Sequence, residues 1–209
     1  MKTMQKQIGN MIIGTGLAAI VAASMTAVDG QTIEADGPLY QNETTLIRPD
    51  NYREWQFLSS GLGMTYEAEV RDFAGAESRP QRFQNVFVNR SSYGSFVETG
   101  SWPDGTIFVL EIRAAATEAS INRAGRFQTE LVALEAEVKD SRFPDGWAFF
   151  DFGRAGALSE VSEPLTGERV ARCVECHTDH TAVERTFVQF YPTLLEVARE
   201  KGTLRPGFD

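Results

Sequence analysis

The chain has 209 residues, 42% of them hydrophobic, with 20 basic against 29 acidic side chains and a formal charge of −9. That length supports one domain with a sizeable core. The acidic surplus argues against nucleic acid or an anionic membrane as partner; it serves solubility or attracts a basic redox protein.

Residues 1–7 carry Lys2 and Lys6 and no acid, and Ile8 to Ala23 follow as an apolar run rich in Ile, Ala and Gly. This is the pattern of a secretory signal peptide over residues 1–27, with cleavage expected between about residues 23 and 30. Gly9, Gly14 and Gly16 interrupt a run shorter than the roughly 20 residues that span a bilayer. No cysteine stands at the junction to make a lipoprotein, and no membrane contact is expected after cleavage. Removal would leave about 180 residues, and the loss of two lysines would take the charge from −9 to −11.

Residues 28–48 read as an extended arm punctuated by Gly and Pro. Pro49-Asp50-Asn51 is the expected cap of a short helix, Tyr52 to Leu58, with Tyr52, Trp55 and Leu58 on one face. Strands are expected at Arg82–Asn89 and, after the turn Pro103-Asp104-Gly105, at Thr106–Arg113, where Phe108, Leu110 and Ile112 share the face expected to meet the core. Between them Ser91–Thr99 reads as a helix stopped by Gly100. Thr129–Asp140 and Trp147–Phe152 flank the turn Phe143-Pro144-Asp145-Gly146, which predicts a hairpin. Residues 153–172 read as loop, and Ala182–Lys201 as a helix kinked at Pro192, with Phe187, Phe190, Tyr191 and Leu194 on one side. Antiparallel strands with flanking helices predict an α+β domain over residues 49–209.

The stretch with specific chemistry is Cys173-Val174-Glu175-Cys176-His177, a C-x-x-C-H motif. Two thiols at this spacing can each form a thioether with a haem vinyl group, and His177, four residues after Cys173, rises on the same helical face to reach the iron as proximal ligand. The competing readings are less apt. A structural zinc site draws on two separated ligand pairs, and Cys173 and Cys176 are the only cysteines. A redox dithiol should follow a strand in a βαβ unit, and a disulfide across two residues closes almost no loop. One covalently attached haem c is the expected cofactor. Attachment to C-x-x-C-H takes place outside the bacterial cytoplasmic membrane, which agrees with the leader and predicts a periplasmic protein.

Several blocks together resemble the cytochrome P-460 family, which includes the cytochromes c′-β. They are Tyr52-Arg53-Glu54-Trp55, Val86-Phe87-Val88-Asn89, Thr99 to Thr106, Val138 to Phe143, Trp147 to Phe150, the haem motif, and Thr186 to Pro192. The resemblance implies an antiparallel β-sheet packed against one c-type haem, and a homodimer. It also implies either hydroxylamine oxidation, as in cytochrome P-460, or binding of nitric oxide and similar gases at an open iron, as in c′-β. The lysine that cross-links to the haem in P-460 proteins matches Leu110 here, and leucine cannot form that bond. Of the four lysines, Lys2 and Lys6 lie in the leader, Lys139 in another block and Lys201 near the C-terminus. Leu110 and Phe108 are candidates to line an apolar distal pocket, or are ordinary core residues.

His177 and His180 are the only histidines. From three residues along the same segment His180 cannot reach the opposite haem face. Met64 is the only methionine beyond the leader and a possible sixth ligand, although the resemblance offers none there. Three readings follow. The first is an open iron that binds nitric oxide or a related nitrogen oxide. The second is an oxidoreductase acting on hydroxylamine or nitric oxide, with Glu160, Glu163 or Glu168 as proton acceptor. The third is an outer-sphere electron carrier with a redox partner protein.

Overall fold

The computed structural model describes residues 36–64 and 80–208; the expected leader and the start of the arm lie outside them. A small sheet pairs β1 (Leu46–Ile47) with the later β7 (Val161–Ser162). The main sheet has five antiparallel strands in chain order: β2 (Gln56–Leu62), β3 (Arg82–Val88), β4 (Thr106–Ala116), β5 (Phe127–Lys139) and β6 (Trp147–Arg154). Three helices accompany them among the described residues, α1 (Arg90–Thr99), α2 (Glu168–Asp179) and α3 (Pro192–Lys201). The chain is therefore α+β with an antiparallel sheet, and none of the described helices is long and apolar enough to cross a membrane.

The main sheet is covered on both faces, so its central strand is apolar on both sides. Ile107 and Val109 of β4 stand beside Val138 and Ala136 of β5, and Ala136 beside Phe150 of β6. These side chains form one core, closed by Leu46, Tyr52, Trp55 and Phe143. Fully burying side chains of this size contributes roughly 1.5–3 kcal/mol each. On the other face Val88 and Phe108 join Phe96 of α1, Trp102, and Leu194 and Ala198 of α3 in a second core. Gly100 ends α1 at φ 76°, and a Cβ there would lie 2.7 Å from that of Lys201 in α3, so the close approach of the two helices requires glycine.

Four expectations are corrected. Tyr52–Glu54 is a 3-10 turn rather than the start of a helix, and Gln56–Leu62 is a strand paired with β3. Tyr52 and Trp55, three apart, suit the tighter turn as well as an α-helix. The face of β4 expected to meet the core is only one of two: Ile107 and Val109 enter the larger core, Phe108 the second one, and Leu110 borders a cavity. The segment 153–172 is not all loop, since β7 pairs with β1 and α2 begins at Glu168. Finally, Pro192 does not kink a long helix. It occupies the first turn of α3, where its missing N–H costs nothing, and a separate 3-10 turn, Val188–Phe190, precedes it.

The last part of the expected arm is held in place. Leu46 is fully buried, and Asp36 accepts hydrogen bonds from the backbone N–H and hydroxyl of Ser91 at the start of α1.

Candidate functional site

Alternation along the strands places a second set of side chains on the face opposite the larger core. The register aligns Ser59, Val86, Leu110 and Glu135 in one row across four strands, and Phe108, Glu137 and Phe149 in the next. These rows form the sheet side of a cavity. Met64, His177, Thr186, Phe187, Phe190 and Tyr191 complete much of its lining.

His177 is set from three directions. Its position in α2 fixes the backbone, and the rings of Phe149 and Phe187 meet the imidazole edge-on at centroid distances of 4.9 and 4.7 Å. Nδ1 lies 2.8 Å from the carbonyl oxygen of Arg185. A carbonyl only accepts, so Nδ1 carries the proton and Nε2 keeps its lone pair in the neutral ring. Glu137 Oε1 lies 3.2 Å from the same Nδ1. Burial disfavours the charged imidazole, but the Glu137 carboxylate and the hydrogen bonds to Nδ1 outweigh it and raise His177 above its ordinary value. Burial likewise pushes the Glu137 carboxyl up, against the pull of His177 and Arg185.

The loop that presents the Arg185 carbonyl is clamped. Glu184, at φ 51°, accepts from the Trp102 backbone N–H at 3.2 Å and from Lys139 Nζ at 2.6 Å. The Trp102 indole N–H donates to Thr186 Oγ1 at 2.8 Å. Thr181 Oγ1 lies 2.7 Å from the His177 carbonyl oxygen and 3.0 Å from that of Glu184. A buried tryptophan and an ion pair thus hold the histidine's acceptor in place.

Phe108, Leu110, Met64 and His177 meet at this one cavity. Cys173 and Cys176 lie half-buried on α2, one turn apart and not disulfide-bonded. Burial pushes both thiols up; Glu135 and Glu137 add to the effect at Cys173, and Asp179 and Glu175 at Cys176. That is the opposite of the depressed thiol a redox dithiol needs. His180 is the exposed cap of α2, with its carbonyl accepting from Gln189. Of the loop carboxylates, Glu163 accepts from Thr45, Glu160 gives its carbonyl to Arg48, and Glu168 opens α2; none of them lines the cavity. The carboxylates that do are Glu135 and Glu137. Burial, with Asp151 nearby, pushes the Glu135 carboxyl up, while Arg154 draws it back. Both glutamates alternate with Leu134, Ala136 and Val138; the alternation signals a strand but not that its acidic side meets a cavity.

The residues fit a haem. One histidine has its Nδ1 engaged and its Nε2 free, two thiols precede it on the same helix, and the cavity beside it is walled largely by hydrocarbon. Two buried polar atoms at this site, Glu137 Oε1 and Arg185 Nη1, have no hydrogen-bond partner, which suits a site completed by a charged group. A family model described as cytochrome P460 matches residues 49–188, a span that includes every strand of the main sheet, α2 and the clamped loop. No curated protein matches the chain.

Proposed function

The chain belongs to the cytochrome P460 family, and from that premise we propose that it is an exported monohaem c-type cytochrome whose iron binds nitric oxide or a related small nitrogen oxide. Cys173 and Cys176 would hold the haem by thioethers and His177 Nε2 would ligate the iron. When bound, the group supplies an iron centre able to take a small ligand on its free side. The observation that carries the reading is the cavity lining: His177 is the one histidine there, and Val86, Phe108, Leu110 and Phe187 make most of the remaining wall hydrocarbon. Such a wall offers the iron no second imidazole. Leu110, in the position of the family's cross-linking lysine, leaves the ring unmodified. The reading includes a leader over residues 1–27, a periplasmic destination and a homodimer.

Two alternatives rest on specific residues. Met64 borders the cavity, and its Sδ occupies the space a Cβ on Gly61 would need. A thioether there favours a six-coordinate electron carrier. Glu135, at the cavity with its carboxyl raised, is a candidate proton acceptor for an oxidoreductase acting on hydroxylamine or nitric oxide.

Optical spectra of the purified protein, ferric and ferrous, with and without nitric oxide, separate the three. A high-spin spectrum with an ordinary c-type Soret band that shifts on adding nitric oxide is expected. A low-spin spectrum indifferent to nitric oxide, becoming high-spin in Met64→Leu, would establish the electron carrier instead. Turnover of hydroxylamine that is lost in Glu135→Gln would establish the enzyme.

A further inference from the structure

The His177 Nδ1 proton has two acceptors before it, the Arg185 carbonyl oxygen at 2.8 Å and Glu137 Oε1 at 3.2 Å. A carbonyl is a neutral acceptor that the clamped loop holds still. Glu137 is different in kind. It stands on β5 between Phe108 and Phe149 in the sheet register, its side chain is 10% exposed, and Oε1 makes no hydrogen bond. The charged group nearest in kind to a counter-ion is Arg185, whose Nη1 is also buried without a partner. A carboxylate placed among phenylalanines is costly unless it interacts with something specific, and the imidazole Nδ1 of His177 stands 3.2 Å from Oε1. Groups that accept from the distal ring nitrogen of a metal-bound histidine orient the ring and raise its basicity.

We propose that Glu137 is a positioning residue for the iron ligand: its carboxylate shares the Nδ1 proton with the Arg185 carbonyl, gives Nε2 imidazolate character and thereby favours the ferric over the ferrous state of an iron bound there. The inference rests on His177 being the haem ligand. It separates the roles of the two acceptors, the carbonyl setting the tautomer and ring angle and the carboxylate setting donor strength.

The test uses the haem-loaded full chain. In Glu137→Gln the carboxamide occupies the same space without the charge. The reduction potential is expected to rise, the ferrous-to-ferric ratio at a fixed poise increasing about tenfold, which for one electron is about 59 mV. The iron–histidine stretching band of the ferrous protein should fall in frequency. Glu137→Asp, which keeps the charge but withdraws it, should lie between wild type and Glu137→Gln in both readouts. A role in packing alone would lower stability and leave potential and band where they were. Should Glu137→Gln not fold, the wild-type band decides the matter: a frequency above that of a neutral imidazole–haem complex supports the proposal, and one equal to it overturns it. A potential and band unchanged in Glu137→Gln, with covalent haem and an iron–histidine band present, overturn the role of Glu137 and leave the functional reading intact. A wild-type chain that takes up no haem, or shows no iron–histidine band, overturns both.

Discussion

Alternate residues of β4 meet opposite surroundings. Ile107 and Val109 enter a core sealed by Leu46, Tyr52 and Trp55, whereas Phe108 and Leu110 face a cavity. Each face also receives carboxylates, and their treatment differs. On the sealed face Glu111 is fully buried and saturated: Tyr52 donates to it at 3.0 Å, Arg53 Nη2 at 2.5 and 2.7 Å, and Arg113 Nε as well. On the cavity face Glu137 is left with an unpartnered oxygen beside a histidine. One sheet thus builds stability on one side and leaves a polar atom unsatisfied on the other.

Substitutions on the two faces should differ in size and in kind. Phe150→Ala, at a position 1% exposed in the sealed core, is expected to cost about 3–5 kcal/mol, read from urea unfolding. Glu111→Gln removes the charge that two arginines share and should cost about 3 kcal/mol. That is the low end for a broken buried pair, because Arg53, 53% exposed, can turn to water. Leu110→Ala enlarges a space that is already open and should cost only about 1 kcal/mol, below the ~2–5 of a filled core. Its effect should instead appear as altered affinity for nitric oxide in the loaded protein. If Leu110→Ala were as destabilising as Phe150→Ala, the two faces would be one kind of core and the comparison would fail.

The smallest effect concerns pH. Burial works against ionised Asp140, but the Arg142 backbone N–H, the Arg142 guanidinium and the Tyr40 hydroxyl prevail and hold its carboxyl below the usual value. A carboxyl depressed in the folded state adds stability above its unfolded value, about 3.9, and that contribution is lost as pH falls through the folded value. The stability difference between wild type and Asp140→Asn should therefore be steady near neutrality and shrink below about pH 4. A difference that grew on acidification would reverse the sign assigned to this group.

The strands were legible from period two and from the turns Asp104-Gly105 and Asp145-Gly146 that mark where they begin, but which face of β4 meets the larger core was not, since Phe108, Leu110 and Ile112 read as the core side and Ile107 and Val109 take it. The cavity face was harder to read. Leu134-Glu135-Ala136-Glu137-Val138 has the alternation of a strand with one wet side, and nothing local says that the acidic side faces a cavity. Tyr52–Leu58 reads as helix until β3 supplies hydrogen bonds to its second half from Gln56 onward, a tertiary override of local preference. The C-x-x-C-H motif is legible through spacing alone. The Arg185 carbonyl had no signal, since any residue type can offer one.

None of the residues of α2 is buried, although this helix carries both cysteines and His177 and follows the whole main sheet in the chain. The strands of that sheet bond to their neighbours in sequence, so its assembly needs few distant encounters. The cradle can therefore close before the helix settles against it. Cys173 and Cys176, part-exposed on a segment made after the sheet, stay open to solvent while the sheet forms.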